Sequence, residues 1–223
     1  MKIKNVCYLL FCLLISYRCD DRPKLMGEYN LTNDQKQFIP YKENDNLIFK
    51  CDSTNEILQY NVTNVKDTFS RSTNATEEEI SYNDYQYSIC EYKVISIKNI
   101  NDDYDFYIDI NSANFDANPN FSVLVYAFSL NKPCGSPKIT GFSQFSFDTI
   151  PLTSGDTSKY HYSYIKNFTI NNRTFNDVFT TKGKKTVGCI DSTATYVKEL
   201  YLNKNEGIIC FVLTNNKKYF LNN

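Results

Sequence analysis

Hydrophobic and polar residues alternate with a period of two along most of this chain. In 57–66, Leu58, Tyr60 and Val62 share one side against Gln59, Asn61 and Thr63. In 85–98, Tyr85, Tyr87, Ile89, Ile95 and Ile97 line one side, and in 104–110 Phe106, Ile108 and Ile110 oppose Asp105, Tyr107 and Asp109. Segment 122–130 is apolar on both sides, with Leu124, Tyr126, Phe128 and Leu130 against Val123, Val125 and Ala127, as a central strand requires. The same alternation aligns Tyr196, Leu200 and Leu202 in 196–202, and Ile209, Phe211 and Leu213 in 208–213. Successive side chains of a strand point to opposite faces, and Tyr, Phe, Ile, Val and Thr suit a pleated surface, so these segments predict strands.

Only Leu31–Pro40 breaks this rhythm. Thr32 is a plausible N-cap with Gln35 at capping-box spacing, and Pro40 disfavours helix at Ile39, so one short helix is expected there. Turns are built from Asn, since Gly numbers only 7. Asn171-Asn172 has the two-residue hairpin signal, because Asn tolerates positive φ. Asn203 to Gly207 and Asn215-Asn216 bound the last strands in the same way. Turn signals at this spacing predict a mainly β domain, an antiparallel meander of about eight to ten strands with one short N-terminal helix. Sandwich, barrel and curved half-barrel all satisfy the pattern. The expected organisation is a signal peptide over 1–18, a lipid-anchored polar tether over 19–30 and a single β-rich domain over 31–223.

The first residues carry the localisation signal. Lys2 and Lys4 precede an apolar run from Val6 to Ile15, about the length of an export signal and short of the roughly 20 residues that span a bilayer. The run closes Ser16-Tyr17-Arg18-Cys19, without the small residues of an ordinary cleavage site, but with a Cys directly after the apolar stretch. This resembles the lipobox of bacterial lipoproteins, whose Cys thiol receives a diacylglyceryl group; Tyr17 and Arg18 stand where the usual small residues would be. Cys19 is therefore the expected lipid-attachment site. Two or three acyl chains hold a protein stably, whereas one holds it only marginally. Asp20 and Asp21 follow the Cys at once. An Asp there resembles an inner-membrane retention signal in enterobacteria, and an acidic pair resembles an outer-face export signal in Bacteroidota.

Two longer motifs favour the second. Leu31 to Cys51, LTNDQKQFIPYKENDNLIFKC, resembles the opening of uncharacterised lipoproteins of Bacteroidota, with their "LT..QK.(F/W)(I/L)PY" segment, polar turn and "L.FK". Residues 200–213, LYLNKNEGIICFVL, resemble their closing hairpin. The resemblance implies a bacterial cell-envelope location at the outer membrane, a lipid anchor and a β-rich body. It brings no catalytic signature.

Charge and composition narrow the chemistry. Lys plus Arg is 24 and Asp plus Glu is 25, a net charge of -1, without the basic excess that dense phosphate contact favours, so nucleic acid is not the expected partner. A single His, His161, and no Trp leave a His-based metal site or a Ser–His–Asp set barely buildable. His161 reads as a strand residue beside tyrosines. Beyond Cys19, cysteines stand at 51, 90, 134, 189 and 210, with spacings of 39, 44, 55 and 21 and no CxxC, so zinc and thioredoxin-type sites have no support. Cys134 and Cys189 both flank Gly and are the candidate disulfide; Cys210, mid-strand, reads as a small buried apolar residue, and Cys51 and Cys90 fit either role. Asn101 to Asp105 lacks calcium-loop spacing and reads as a hairpin turn. Glu77-Glu78-Glu79, within the Ser/Thr/Asn-rich stretch 70–84, reads as a solvated tip. Six Asn-x-Ser/Thr sequons barely exceed the roughly four that chance gives, so they do not mark a glycoprotein.

Eighteen Tyr and sixteen Phe are a heavy aromatic load. Tyr82, Tyr85 and Tyr87, and Tyr160, Tyr162 and Tyr164, form rows that could stabilise a sheet or present a sugar- or peptide-binding platform. The expected function is a lipid-anchored, non-enzymatic binding module, without cofactor, whose partner is a protein, glycan or apolar ligand. Two alternatives stay open: an envelope hydrolase using paired carboxylates, such as Asp105 or Asp109, and a half-barrel carrier of lipid or lipoprotein.

Overall fold

The computed structural model describes residues 24–73, 86–101, 104–112, 121–129, 141–150, 162–186 and 195–222. Its elements run β1 (Lys24–Tyr29), α1 (Asn33–Lys36), β2 (Asn46–Cys51), β3 (Ile57–Thr73), β4 (Gln86–Asn99), β5 (Tyr104–Asn111), β6 (Phe121–Ser129), β7 (Gly141–Ile150), β8 (Ser163–Ile170), β9 (Arg173–Lys182), β10 (Lys184–Thr186), β11 (Val197–Asn203), β12 (Gly207–Leu213) and β13 (Lys218–Leu221). The expected mainly β, antiparallel fold with one short helix is the fold found, with more strands than the turn signals suggest.

Two compact units divide the chain: residues 1–28 with 71–89, and residues 29–70 with 90–223. In the first, the described residues are strand segments, and β1 pairs with β4. This differs from the polar tether expected over 19–30. Strand pairing is a backbone property, and Lys24–Tyr29 pairs although Leu25 remains 46% exposed, so hydrophobic alternation gave no warning of it.

The second unit holds the core. Its strands follow the order β10-β7-β6-β5-β4-β3-β2-β13-β12-β11-β9-β8. The chain itself brings the two end regions of this order together: β9, next to the terminal β8, passes through Gly183 into β10 at the other end, which pairs with β7 through Lys184↔Gln144 and Thr186↔Phe142. A sheet whose ends meet in this way is curled into a half-barrel around its inner side chains. Gly183 sits where a Cβ would lie 2.8 Å from the Phe145 ring, so the strand could not come this close with a larger residue.

Inward positions fill the curl with rings. Phe211 lies 5.2 Å from Phe49, 5.3 Å from Phe106 and 5.1 Å from Tyr219 (ring centroids), and Tyr60 lies 5.4 Å from Phe49 and 5.6 Å from Phe106. A second group joins Phe38, Phe147, Tyr162 and Phe179. β12 is buried on both faces, as is required of a strand covered from inside and outside, and Cys210 lies on its outer side. β6 has a neighbour on each side but lies third from the β10 end of the order rather than at its centre, and its outward residues are only half buried.

The helix is shorter than Leu31–Pro40 yet begins where expected. Thr32 caps it, its hydroxyl accepting from the Gln35 backbone N–H while the Gln35 side chain accepts from the Thr32 N–H at 2.8 Å. At the β8–β9 turn, Asn171 and Asn172 take φ 48 and 62, the left-handed pair that a two-residue hairpin requires.

Candidate functional site

Register places a half-buried aromatic patch on the outer face of β4, β5 and β6. Tyr107 pairs with Tyr126, Asp109 with Leu124, Val94 with Asp109 and Tyr92 with Asn111. Paired residues share a face, so Tyr92, Tyr107, Asp109 and Tyr126 project from one side of the sheet. The Tyr107 and Tyr126 rings lie 6.1 Å apart, and Tyr126 stacks on Phe128 at 6.4 Å.

Asp109 is the electrostatic centre of this patch. Its Oδ1 is buried and has no hydrogen-bond partner among the described residues, and burial raises its pKa to about 6. The tyrosines respond in kind. Burial, then the nearby Asp109 charge and Tyr126, hold the Tyr107 phenol above its ordinary pKa; burial and Asp109 do the same for Tyr126. For Tyr92, burial and Cys90 lead, Asn111 opposes them through a hydrogen bond, and Asp109 adds to the rise. Neutral phenols around a carboxylate with a spare acceptor make a surface that offers ring faces, O–H donors and one acceptor. Such a surface suits a hydroxyl- or amide-bearing ligand.

The opposite face of β4 carries a polar cluster that the sequence pattern concealed. Ile95 and Ile97 point inward as expected, and so do Glu91 and Lys93, both buried, whereas Tyr87 and Ile89, expected on the same side, are only half buried and Ser88 and Cys90 are the buried residues there. Glu91 accepts the Leu31 N–H at 2.8 Å and pairs with the Lys36 ammonium at 2.5 Å. Lys93 donates to the Lys36 carbonyl at 2.6 Å and the Ile39 carbonyl at 2.9 Å. Lys36 is the last residue of α1 and Ile39 lies three residues beyond it, so the cluster fastens the helical segment and the chain that follows it into the half-barrel. Burial lowers the Lys93 pKa, with Asp67 opposing; the hydrogen bond that Lys36 donates to Glu91 raises the Lys36 pKa against burial, with the Glu91 and Asp67 charges adding to the rise. Every charged group here has a structural partner, so the cluster reads as a clamp.

Of the sequence candidates, Cys19, Cys134, Cys189, His161, Tyr82, Tyr85, Tyr160 and Glu77 to Glu79 lie outside the described residues. Cys51, Cys90 and Cys210 are free and buried. Burial raises the Cys210 thiol to about 12 and pushes Cys90 up, as befits small apolar residues. At Cys51 burial also acts upward, but hydrogen bonds with Ser53 and Thr54 outweigh it and leave the thiol below its ordinary value. Tyr162 is a core ring and Tyr164 hydrogen-bonds Asp177, so this row splits between inside and outside. The outward tyrosine patch is instead Tyr92, Tyr107 and Tyr126. It is scattered over three strands, and only their register could reveal it.

Asp105 and Asp109 share the outer face of β5 but stand four residues apart, about 13 Å along a strand. That exceeds the roughly 5–10 Å of a glycosidase carboxylate pair. Asp105 also accepts the Asn99 N–H at 2.9 Å and so braces the β4–β5 turn. The expected turn character of Asn101–Asp105 is visible in the Asn101 N–H bond to the Asn99 side chain at 2.7 Å, while Asp102 and Asp103 lie outside the described residues. Among the described residues no group of three His, Cys, Asp or Glu side chains could hold a metal ion, and no helix is long and apolar enough to cross a membrane. Comparison of the chain with protein-family models, curated proteins and solved structures found no match.

Proposed function

We propose that this chain is an exported lipoprotein of the bacterial cell envelope, held at the outer membrane by lipid on Cys19, and that its β body is a non-enzymatic binding module. The observation that carries the reading is Cys19 itself, four residues after the end of the apolar run Val6–Ile15 that Lys2 and Lys4 precede, and directly before Asp20-Asp21. The resemblance of Leu31–Cys51 and 200–213 to lipoproteins of Bacteroidota supports it further. Binding at the outer surface is supported by the half-buried Tyr92, Tyr107 and Tyr126 around a carboxylate whose Oδ1 is unpartnered. A carrier role would need an open apolar hollow, and the rings packed at the centre of the half-barrel weigh against it. The spacing of Asp105 and Asp109 weighs against their acting as a hydrolase pair.

The test is fractionation of cells expressing the wild type and Cys19→Ala. The wild type should sediment with membranes and carry acyl chains by mass spectrometry, and the variant should lose both. A variant that stays with the membrane, or a wild type with an unmodified Cys19, overturns the reading.

A further inference from the structure

A cleft of about 370 Å³ opens where the tip of the β8–β9 hairpin faces the β2–β13 pair. Its walls are Thr169, Ile170 and Asn171 on one side and Lys50, Lys218 and Phe220 on the other, with Cys51, Asp52 and Asn55 at one end. Phe220 pairs directly with Lys50, and Lys218 is two residues before it on the same strand. The two lysines are thus diagonal neighbours on one face, with backbones about 7–8 Å apart. Two cationic side chains on one face favour an anion over a cation there.

The structure spends little of this polarity internally. Among the described residues, Lys50 has no ion pair, and the side chains of Asp52, Asn55 and Asn171 make no hydrogen bond. The Lys218 ammonium sits 5.4 Å from the Phe168 ring centre and 5.6 Å from that of Tyr201, which fixes its position and leaves its charge unneutralised. Two ammonium groups against the single Asp52 carboxylate leave one positive charge in the lining. Asn55 and Asn171 sit at left-handed backbone positions, φ 58 and 48, so turn geometry fixes two amide-bearing residues at the rim. Phe220 and Ile170 supply an apolar wall.

From these features we infer that the cleft binds a small monoanionic, polyhydroxylated ligand, a sugar acid, with its carboxylate between Lys50 and Lys218. Hydroxyls would meet Asp52, Asn55 and Asn171, and the C–H face of the ring would meet Phe220. A volume of this order is at the small end of the range for ligand sites. One net positive charge matches a monoanion, whereas a phosphate dianion would overfill it and face Asp52. The inference rests on the reading of the body as a binding module and names a second surface of it, distinct from the tyrosine patch.

The experiment is calorimetric titration of the purified full-length protein in detergent with D-galacturonate, galactose and inorganic phosphate. Galacturonate should bind saturably, and galactose and phosphate should each bind more weakly. Lys50→Ala and Lys218→Ala should each weaken galacturonate binding about tenfold, the scale of one charge-assisted hydrogen bond. Lys66→Ala, at an exposed position of β3, should leave binding unchanged. If either alanine variant lowers the unfolding midpoint, Lys50→Gln and Lys218→Gln, which keep a long polar stem, carry the same comparison. Absence of saturable galacturonate binding, equal binding of galactose, tighter binding of phosphate or full affinity in a variant carrying both Lys50→Ala and Lys218→Ala would each overturn the inference. Cys19→Ala should bind galacturonate normally, so failure of the anchor and failure of the cleft are separable.

Discussion

Asp109→Asn should stabilise the protein near neutral pH and do so in a pH-dependent way. Asp109 keeps its Oδ1 buried without a partner, and its pKa rises from 3.8 to about 6 because burial disfavours the charged form. A carboxyl whose pKa is higher folded than unfolded binds its proton more tightly in the native state. Below about pH 3 both states are protonated and the group costs nothing. As pH climbs from about 4 to about 6 the unfolded chain releases the proton while the folded one retains it, so stability falls. Above about pH 6 the full penalty persists. A rise of roughly two pH units corresponds to about 3 kcal/mol at most. Asp109 is only half buried, and solvent screening reduces this to about 1–2 kcal/mol. The assay is urea unfolding of wild type and variant across that range. Any pH-independent effect of the amide cancels when the difference at about pH 3 is subtracted from that at about pH 7.5. A residual gain of about 1–2 kcal/mol is expected. A gain equal at both pH values, or a variant that becomes relatively less stable as pH rises, would refute the reasoning.

Gly207 takes φ 75, and a Cβ there would fall on the ring of Tyr41, whose hydroxyl accepts the Ile208 N–H at 2.7 Å. Gly207→Ala should therefore lose about 3 kcal/mol or more, combining left-handed strain with a broken buried hydrogen bond; a loss under about 1 kcal/mol in chemical denaturation would show that Tyr41 yields freely. Glu91→Ala removes the acceptor of the Leu31 N–H and the partner of Lys36, which is partly exposed, so about 2–3 kcal/mol should be lost. Hydrogen exchange in that variant should rise first in Leu31–Tyr41, and uniform protection loss would argue against a local clamp. Asn172→Gly should raise stability by about 0.5 kcal/mol, since φ 62 suits Gly better than Asn, and thermal unfolding checks the sign.

Much of the architecture follows from local rules that the sequence expresses by itself. Period-two alternation located β3, β4, β5, β6, β11 and β12 to within a few residues, except that β3 runs on to Thr73. Thr32 with Gln35 announced the helix start, and Asn171-Asn172 announced a turn of the right handedness. These features are set by neighbours a few residues apart: side-chain direction, capping bonds and φ preference. β1 went unseen because its pairing uses backbone groups that every residue carries. Glu91 and Lys93 were hidden for a related reason. They occupy inward positions of an apolar strand, and nothing local says that the carbonyls of Lys36 and Ile39 and the N–H of Leu31 will arrive to satisfy them.

The candidate sites depended on tertiary structure more heavily still. The sequence singled out tyrosines adjacent along the chain, at 82–87 and 160–164, whereas the outward patch combines Tyr92, Tyr107 and Tyr126 from three strands. Likewise Lys50, Asn55, Asn171 and Lys218 line one cleft although 168 residues separate the first from the last. The chain alone determined most strand faces, the turn positions and the apolar run followed by Cys19 that motivates the functional proposal, since these depend on residue type and short spacing. Register and the curling of the sheet decided which of those faces lie together and which side chains lose their water, and that desolvation gives Asp109 its altered acidity.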